Sequence, residues 1–397
     1  MYNQANITKE IYLDACATSP THIEVLNRIR QVESDYWANP SSLHNYGLKA
    51  ADILERSRSE IAKHLSAKPK ELIFTSGATE SNHLAILGCS ENMEPGRIVV
   101  SAVEHPAVIS AAKKLIKYGW DIQLLEVDSQ GMVDLNHLEE LIAYPTKILS
   151  IIWGQSEIGT IQPILQIGNL CREKGVLFHT DATQILTQGL FSWNELPVDL
   201  LSASAHKFQG PKGVGFLLCR ENILSLIQPL QRGGGQENTI RGGTEPIPLI
   251  AGMSKAIELI DQHFNHNLGK NSKQYKVGKL TTRLRNELKH LDMIKFTGHP
   301  TRRLANHISM LVSSSNNVPL SGRAIVRELS KNGIYASSGT ACSSGKIVDS
   351  DVLRAINIPP KWRQSGLRFS LGSWIEEQDI VHIPKILKKS VTNISKL

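Results

Sequence analysis

The sequence is poor in cysteine and lacks the closely spaced cysteine pairs that build metal sites and disulfide frameworks. It has five cysteines in 397 residues, an odd number, and no C-x-x-C pair. Disulfide-stapled domains and zinc sites depend on such pairs. We therefore expect neither a disulfide framework nor a metal site, and each cysteine has to be interpreted from its own surroundings.

Long apolar runs and dense basic runs are missing as well. No run of about 18 apolar residues occurs, which argues against a membrane span, and the N-terminal residues lack the basic-then-apolar pattern of a signal peptide. Lysine and arginine outnumber aspartate and glutamate by 44 to 37, but the basic residues are scattered. We expect a cytoplasmic protein that binds no membrane and no nucleic acid. The net charge of +7 suits an anionic cofactor or an acidic partner protein.

The sequence does contain a regular alternation of β-rich and helical stretches through its first two thirds. Apolar residues make up 41% of the chain, which is enough for a large core. Continuous apolar strands that alternate with helices predict an α/β fold with a mostly parallel sheet covered on both faces. The predicted strands are 71–77, 97–104, 121–127, 147–153, 176–182, 199–205 and 213–219.

The pattern changes after about residue 252. The stretch 254–291 is polar with a helical apolar stripe and predicts one or two long helices. A strand at 305–312 and an amphipathic helix at 321–333 follow. The length of the chain allows two or three domains, and this change of pattern predicts a second, smaller α+β domain.

Polar clusters stand at the ends of the predicted strands, where ligands collect in sheets of this type. In "TSGATES" (75–81), a strand stops at Ser76-Gly77 and a helix begins, so that backbone N–H groups with the Thr79 and Ser81 hydroxyls can bind a phosphate. A plain turn with a helix cap is the alternative. Ser204 and His206, at the end of another strand, offer further phosphate donors.

Three more residues at strand ends suit a pyridoxal phosphate pocket. Asp181 can hold a protonated pyridine nitrogen, because a protonated ring is the better electron sink. Lys207 can form a Schiff base with a carbonyl cofactor, and His105 can stack on a flat ring or move protons. Taken singly, each has an alternative: a helix cap for Asp181, a solvated turn for Lys207 and a structural role for His105.

The segment "SSGTACSSG" (337–345) places Cys342 among serines and glycines, in a stretch too small and flexible to pack a core. The thiol there is either an accident of surface composition or a reagent on a movable arm. Cys89, Cys171 and Cys219 lie in apolar runs and are interpreted as small buried hydrophobic residues.

At this point the chain resembles the cysteine desulfurases, in the class V aminotransferase group of fold type I pyridoxal phosphate enzymes. The resemblance covers about residues 11 to 372 and rests on motifs that occur in family order. These are "YLDACATSP" (12–20), "NPSSLH" (39–44), "TSGATES", "VEHPAV" (103–108), "EIGTIQPI" (157–164), "HTDATQ" (179–184), "SASAHKFQGPKGVGFL" (202–217), "RGGTEP" (241–246), "SSGTACSSG" and "LRFSLG" (367–372).

The resemblance implies a homodimer whose large cofactor domain spans 22–262 and whose small domain, made from 1–21 and 263–397, carries the Cys342 segment. Lys207 would bind the cofactor as a Schiff base and Asp181 would pair with its pyridine nitrogen. Gln184 would hydrogen-bond the phenolic oxygen of the ring, and His105 would stack on the ring and move protons.

The resemblance also assigns the residues that bind the cofactor phosphate and the substrate. Thr244 would reach the phosphate bound by the neighbouring subunit, and Arg368 would bind the substrate carboxylate as a bidentate fork, helped by Asn39. The phosphate of the chain's own site would be bound by Ala78, Thr79, Ser204 and His206.

Two departures from the family pattern concern the site. The chain has Gln155 and Ser156 where the family usually has two asparagines, the second of which contacts the phenolic oxygen. Ser156 is shorter and would reach that oxygen through water. Cys16 follows Ala15 in the opening motif, where the family tends to differ. We expect Cys16 to have a buried packing role, with exposure to the site as the alternative.

The implied reaction is the removal of sulfur from L-cysteine. Lys207 would take the Cα proton, Cys342 would attack the substrate sulfur and become a persulfide, and L-alanine would leave. Sulfur would then pass to acceptor proteins, such as an iron–sulfur scaffold or a tRNA-thiolation relay. The alternatives are a pyridoxal phosphate C–S lyase acting on cystine or cysteine conjugates, a selenocysteine lyase, and a non-catalytic sulfur-trafficking scaffold.

Overall fold

The structure, a computed structural model, describes residues 10–265, 273–339 and 349–396. Cys342 lies outside these ranges. The strands are numbered along the chain: β1 Ile11–Tyr12, β2 Leu72–Thr75, β3 Arg97–Ser101, β4 Asp121–Leu125, β5 Thr146–Ile152, β6 Leu177–Asp181, β7 Leu200–Ser204, β8 Gly215–Cys219, β9 Ile294–Phe296, β10 His307–Val312, β11 Ile334–Tyr335 and β12 Gly366–Ser370.

The α-helices surround these strands. They are α1 Ile23–Asp35, α2 Asn45–His64, α3 Ala78–His83, α4 Pro106–Leu115, α5 Leu135–Leu141, α6 Ile164–Lys174, α7 Ile247–Asn265, α8 Lys273–Leu288, α9 Gly322–Ser330, α10 Asp351–Ala355, α11 Glu377–Ile380 and α12 Ile383–Ser395. No helix in the described part of the chain is long and apolar enough to cross a membrane.

Seven strands form the large sheet, in the spatial order β2-β8-β7-β6-β5-β3-β4. The pairs β3–β4, β3–β5, β5–β6 and β6–β7 are parallel, whereas β8 runs antiparallel to β2 and β7. The mostly parallel, mixed sheet is therefore confirmed. All seven predicted strands are present; β5 is shifted by one residue from the predicted 147–153, and the other six are shorter than predicted by two or three residues.

Both faces of the large sheet are buried, as its apolar strands predict. In β3, the side chain of Val99 packs into the core cluster that includes Val25 and Ile61 of α1 and α2. Its neighbours Ile98 and Val100 pack into a second cluster on the opposite face. Since successive strand residues point to opposite faces, each face needs its own helices, and each buried aliphatic side chain contributes about 1.5–3 kcal/mol.

A smaller antiparallel sheet, in the order β12-β10-β9, follows the long helices α7 and α8. Strand β1, from the other end of the chain, pairs in parallel with β11. The core of this region unites Leu13 with Ile308 and Leu387, so that residues far apart in sequence share one apolar cluster. Helix α7 begins earlier than the predicted 254 because Pro248 is tolerated in a first turn.

Candidate active site

The polar ends of the large-sheet strands face a cavity of about 560 Å³. Ten of the residues assigned to the site from the sequence line it: Ala78, Thr79, His105, Ser156, Asp181, Gln184, Ser204, His206, Lys207 and Arg368. They come from the large sheet, from its connecting loops and from β12 of the small sheet. The topology therefore brings together residues that lie far apart in the sequence.

Lys207 ends a short 3-10 turn, Ala205–Lys207, directly after β7. Its Nζ atom donates hydrogen bonds to the carbonyl oxygens of Cys16 and Ala17, each at 2.8 Å. Two carbonyls of the N-terminal segment thus orient the amine at the wall of the cavity. Cys16 itself is 2% exposed, and burial raises the pKa of its thiol.

Asp181 is the last residue of β6, and its carboxylate is buried. Oδ2 accepts a hydrogen bond from Nδ2 of Asn82 at 2.8 Å, and Oδ1 accepts one from the backbone N–H of Thr183 at 3.0 Å. Beneath it, His179 lies between the hydroxyls of Ser150 and Ser202. Burial lowers the pKa of His179, so its ring is neutral at neutral pH.

His105 caps helix α4, and its Nδ1 accepts a hydrogen bond from the backbone N–H of Ala107 at 3.1 Å. This bond fixes the ring at the start of the helix and at the edge of the cavity. The preceding Glu104 is buried, and its Oε1 accepts hydrogen bonds from the Ser101 hydroxyl and the Ile152 N–H, each at 2.5 Å. Burial raises the pKa of Glu104 to about 8, so this side chain is a neutral acid at neutral pH.

The turn between β2 and α3 approaches the end of β7 closely. Gly77 has a φ of 149°, in the region that favours glycine. A Cβ atom on Gly77 would lie 3.3 Å from the Ser204 Oγ. His206 contacts Oγ1 of Thr18 at 3.0 Å, and burial with the nearby charge of Lys207 lowers its pKa to about 4. These groups surround the end of the cavity assigned to phosphate.

Arg368 lies in the middle of β12 and is 4% exposed. Its Nη2 donates to Oδ1 of Asp14 at 2.5 Å and its Nη1 donates to the carbonyl of Ser156 at 2.9 Å. The buried Nε has no hydrogen-bond partner among the described residues. The guanidinium is therefore oriented by an acid from the N-terminal segment and by a carbonyl from the opposite wall.

The side chain at position 155 has a structural role. Gln155 Oε1 accepts hydrogen bonds from the backbone N–H groups of Glu157 and Ile158, at 2.5 and 3.0 Å, and its Nε2 donates to the carbonyl of Val103. Ser156 lines the cavity. Its carbonyl also accepts a hydrogen bond from Nε2 of His307 at 3.0 Å.

Two of the residues assigned from the sequence, Asn39 and Thr244, do not line this cavity. Asn39 is exposed and its Oδ1 caps the backbone N–H of Ser41 at 2.9 Å. Thr244 is exposed in the glycine-rich loop and does not line the cavity. Cys342, as stated above, lies outside the described residues.

Four residues around the site were missed by the sequence reasoning: Asn82, Asp14, Glu104 and Glu157. Each acts through a hydrogen bond to a residue far away in the chain, so no local pattern reveals it. A carboxylate two residues before the Cys16 position is the one signal that could have suggested a partner for Arg368. Within the described ranges, no group of three His, Cys, Asp or Glu side chains could hold a metal ion.

Comparison with known proteins identifies the family. The family model for aminotransferase class-V matches residues 11–383. The chain is 36% identical to the cysteine desulfurase IscS of Dictyoglomus turgidum over 393 residues, which covers 97% of this chain and 95% of the relative. It is 34% identical to the mitochondrial cysteine desulfurase of Saccharomyces cerevisiae, covering 98% of this chain and 76% of the relative.

The solved structures agree with the fold. A NifS-like protein superposes with a TM-score of 0.86 at 31% identity, covering 98% of this chain and all of the other. A NifS-like protein from Rickettsia africae superposes with a TM-score of 0.83 at 28% identity, again covering 98% of this chain and 100% of the other. The predicted fold class is confirmed, and the chain belongs to the class V aminotransferase family and, within it, to the cysteine desulfurases.

Proposed function

We propose that this chain removes sulfur from L-cysteine with the help of pyridoxal 5'-phosphate, releases L-alanine and retains the sulfur as a persulfide on Cys342. One observation carries the proposal: the amine of Lys207, the carboxylate of Asp181 and the guanidinium of Arg368 all line a single cavity. A lysine, a buried acid and a carboxylate-binding arginine are the groups that an amino acid and a pyridine cofactor require.

The residues present fit pyridoxal phosphate. Asp181 offers a buried carboxylate, oriented by Asn82, to a protonated ring nitrogen. Gln184 Oε1 is buried and has no partner among the described residues, so the cavity leaves a polar atom that a bound ligand can satisfy. Lys207 would hold the cofactor covalently, and His105 would stack on its ring. When bound, the cofactor supplies an electron sink that stabilises negative charge at the amino-acid Cα.

Four residues would bind the cofactor phosphate at the glycine turn, Ala78 among them through its backbone N–H at the start of α3. Burial and the charge of Lys207 lower the pKa of the His206 ring to about 4, and its imidazole would donate a hydrogen bond to the phosphate. Ser156 lines the cavity and would reach the phenolic oxygen through water. The four phosphate ligands are Ala78, Thr79, Ser204 and His206.

Arg368 would orient the substrate by its carboxylate. Asp14 already satisfies one terminal nitrogen of the guanidinium, and the Ser156 carbonyl satisfies part of the other. The incoming carboxylate therefore meets a guanidinium whose plane is set in advance, which lowers the entropic cost of binding. Asn39, from the exposed loop before α2, would assist.

Proton transfer would fall to Lys207 and His105. The Lys207 amine would remove the Cα proton, since two carbonyls orient it at the cavity wall. In the sulfur step, the carbon–sulfur bond of the substrate breaks and a sulfur–sulfur bond to Cys342 forms. The carbon that loses sulfur gains a proton, which gives L-alanine and balances the atoms.

The assembly and the cellular setting are part of the proposal. We infer a large domain over 22–262 and a small domain from 1–21 and 263–397. A homodimer would place the exposed Thr244 near the partner's phosphate. We infer a cytoplasmic location and sulfur transfer to acceptor proteins of an iron–sulfur assembly or tRNA-thiolation route.

Incubation of the purified protein with L-cysteine tests the function, with alanine, pyruvate and protein persulfide measured together. We expect alanine and persulfide in equal amounts in the first turnover. Cys342→Ser should keep the visible absorbance of the bound cofactor and lose the persulfide, whereas Lys207→Ala should lose that absorbance. Pyruvate with ammonia would instead identify a C–S lyase, and full activity of Cys342→Ser would remove the thiol from the reaction.

A further inference from the structure

Glu157 does not line the cavity, and its carboxylate hydrogen-bonds the Ser350 hydroxyl and packs close to Gly339, two residues on either side of residues 340–348. Its Oε1 accepts a hydrogen bond from the Ser350 hydroxyl at 2.5 Å. On the other border, a Cβ atom on Gly339 would lie 3.1 Å from the same oxygen and 3.2 Å from Cγ. One side chain therefore meets the residue before this segment and a residue just after it.

Both contacts depend on local backbone geometry. Gly339 has a φ of 80°, so its conformation and the close approach of Glu157 both favour glycine. Ser350 caps helix α10, because its Oγ accepts the backbone N–H of Leu353 at 2.9 Å while its hydroxyl hydrogen goes to Glu157. The carboxylate thus sets the orientation of the cap from which α10 begins.

Ser156, the residue before Glu157, contacts the proposed substrate-binding residue Arg368. The Ser156 carbonyl accepts the Arg368 hydrogen bond at 2.9 Å, and Arg368 exchanges backbone hydrogen bonds with Ser337 at 2.7 and 3.2 Å. The charges of Arg368 and Asp351 both act on the Glu157 carboxylate. Ser156 therefore contacts the proposed carboxylate-binding arginine, and the next residue, Glu157, contacts Gly339 and Ser350 on either side of residues 340–348.

We propose that Glu157 is a positioning residue that holds Gly339 and Ser350, described residues on either side of residues 340–348, in place relative to Arg368. This inference rests on the proposed role of Cys342 as sulfur acceptor. Glu157 does not line the cavity, so it acts on the sulfur step through Gly339 and Ser350 and takes no part in the chemistry. Its loss slows transfer of sulfur without weakening the binding of L-cysteine.

The test compares Glu157→Ala, Glu157→Gln and Ser350→Ala with Arg354→Gln, an exposed change on the same helix. We expect Glu157→Ala to lower kcat for alanine formation about tenfold, as small misplacements of reacting groups do, with KM for L-cysteine within about twofold. Glu157→Gln keeps an oxygen acceptor and should retain most of the activity. Arg354→Gln should behave as the parent protein.

Hydrogen exchange supplies a readout independent of activity. We expect the Leu353 amide to exchange about fivefold faster in Ser350→Ala, which loses the cap, and faster than in the parent in Glu157→Ala. An unchanged kcat in Glu157→Ala overturns the proposal, and so does a rise in KM alone, which would mean that Glu157 acts only on Arg368. Failure of the function itself is distinguishable, since the parent protein would then form no alanine or would form it without Cys342.

Discussion

Glu104 lies beneath the candidate active site, beside the carboxylate of Asp181, and no basic side chain pairs with it among the described residues. Burial is the main reason that its pKa rises from 4.5 to about 8, and the charge of Asp181 adds to the rise. Its Oε2 is buried with no partner in the described chain. The side chain is tolerated because it stays protonated, so ionisation of Glu104 opposes folding.

Glu104→Gln tests this statement through the pH dependence of stability. The pKa of Glu104 is higher in the folded protein than in the unfolded chain. Its contribution to the free energy of unfolding is therefore fully present below about pH 4.5 and is lost as the pH rises through about 8. Between pH 5 and 8.5, we expect the free energy of unfolding of the variant to rise by several kcal/mol relative to that of the parent protein, because each unit of pKa shift corresponds to about 1.4 kcal/mol. Urea unfolding at both pH values measures the gain.

The control for this prediction is Glu91→Gln, which changes an exposed glutamate. It should give the same difference from the parent at both pH values. The glutamine at 104 adds a buried donor without a partner, but that cost is the same at every pH. A flat difference for Glu104→Gln would show that the carboxyl ionises normally inside the fold.

Helix α3 connects the glycine turn to the buried acid of the site. Ser81, on its inner face, exchanges a hydrogen bond of 2.8 Å with Thr75 of β2, and Asn82 donates to Asp181 at the end of β6. Both side chains are fully buried. This short helix therefore fixes the position of the acid relative to the phosphate end of the cavity.

Asn82→Ala should weaken cofactor binding while leaving the fold intact. The loss of one donor leaves an oxygen of the buried Asp181 unsatisfied, which costs roughly tenfold in the dissociation constant of pyridoxal phosphate. Titration of the cofactor-free protein, followed by visible absorbance, measures the change. Asn92→Ala, on the surface, is the matched control. Equal affinities of the two variants would contradict the assigned role of Asn82.

The elements of the large sheet could be predicted because their signals are local. The strands are continuous apolar runs; Asp181 is the last residue of one of them, and Lys207 follows another by three positions. The partners of these residues could not be predicted, because Asn82 precedes Asp181 by 99 positions and Asp14 precedes Arg368 by 354. Such contacts depend on strand order and on the docking of the small sheet, which the alternation of strands and helices does not specify.

The glycine-rich loop that carries Thr244 is tied to the body of the molecule by a buried ion pair. Arg58 of α2 donates from Nη2 and Nη1 to the two carboxylate oxygens of Glu237 at 2.7 and 3.0 Å, and Phe74 of β2 donates its N–H to Glu237. Glu237 and its next two neighbours all have positive φ angles. These strained conformations cost about 1 kcal/mol or more each, so the loop keeps its shape through the pair.

Glu237→Ala should destabilise the whole protein by about 3–5 kcal/mol, because it leaves the Arg58 charge buried without its partner. Glu55→Ala removes the exposed second partner of Arg58 and should cost no more than about 1 kcal/mol. Urea unfolding of both variants measures the difference. Similar stabilities would mean that the loop adopts its shape without the ion pair.

The contacts of the N-terminal segment have a consequence for biosynthesis. Residues 14–17 hold Arg368 and Lys207, and β1 pairs with β11. While the ribosome is still making the middle of the chain, Leu13 has no core in which to bury. At about 5–20 residues per second, the N-terminal segment waits roughly half a minute for its partners. The candidate site is therefore complete only after β12 has been made, and until then Leu13 lacks the apolar partners of its core.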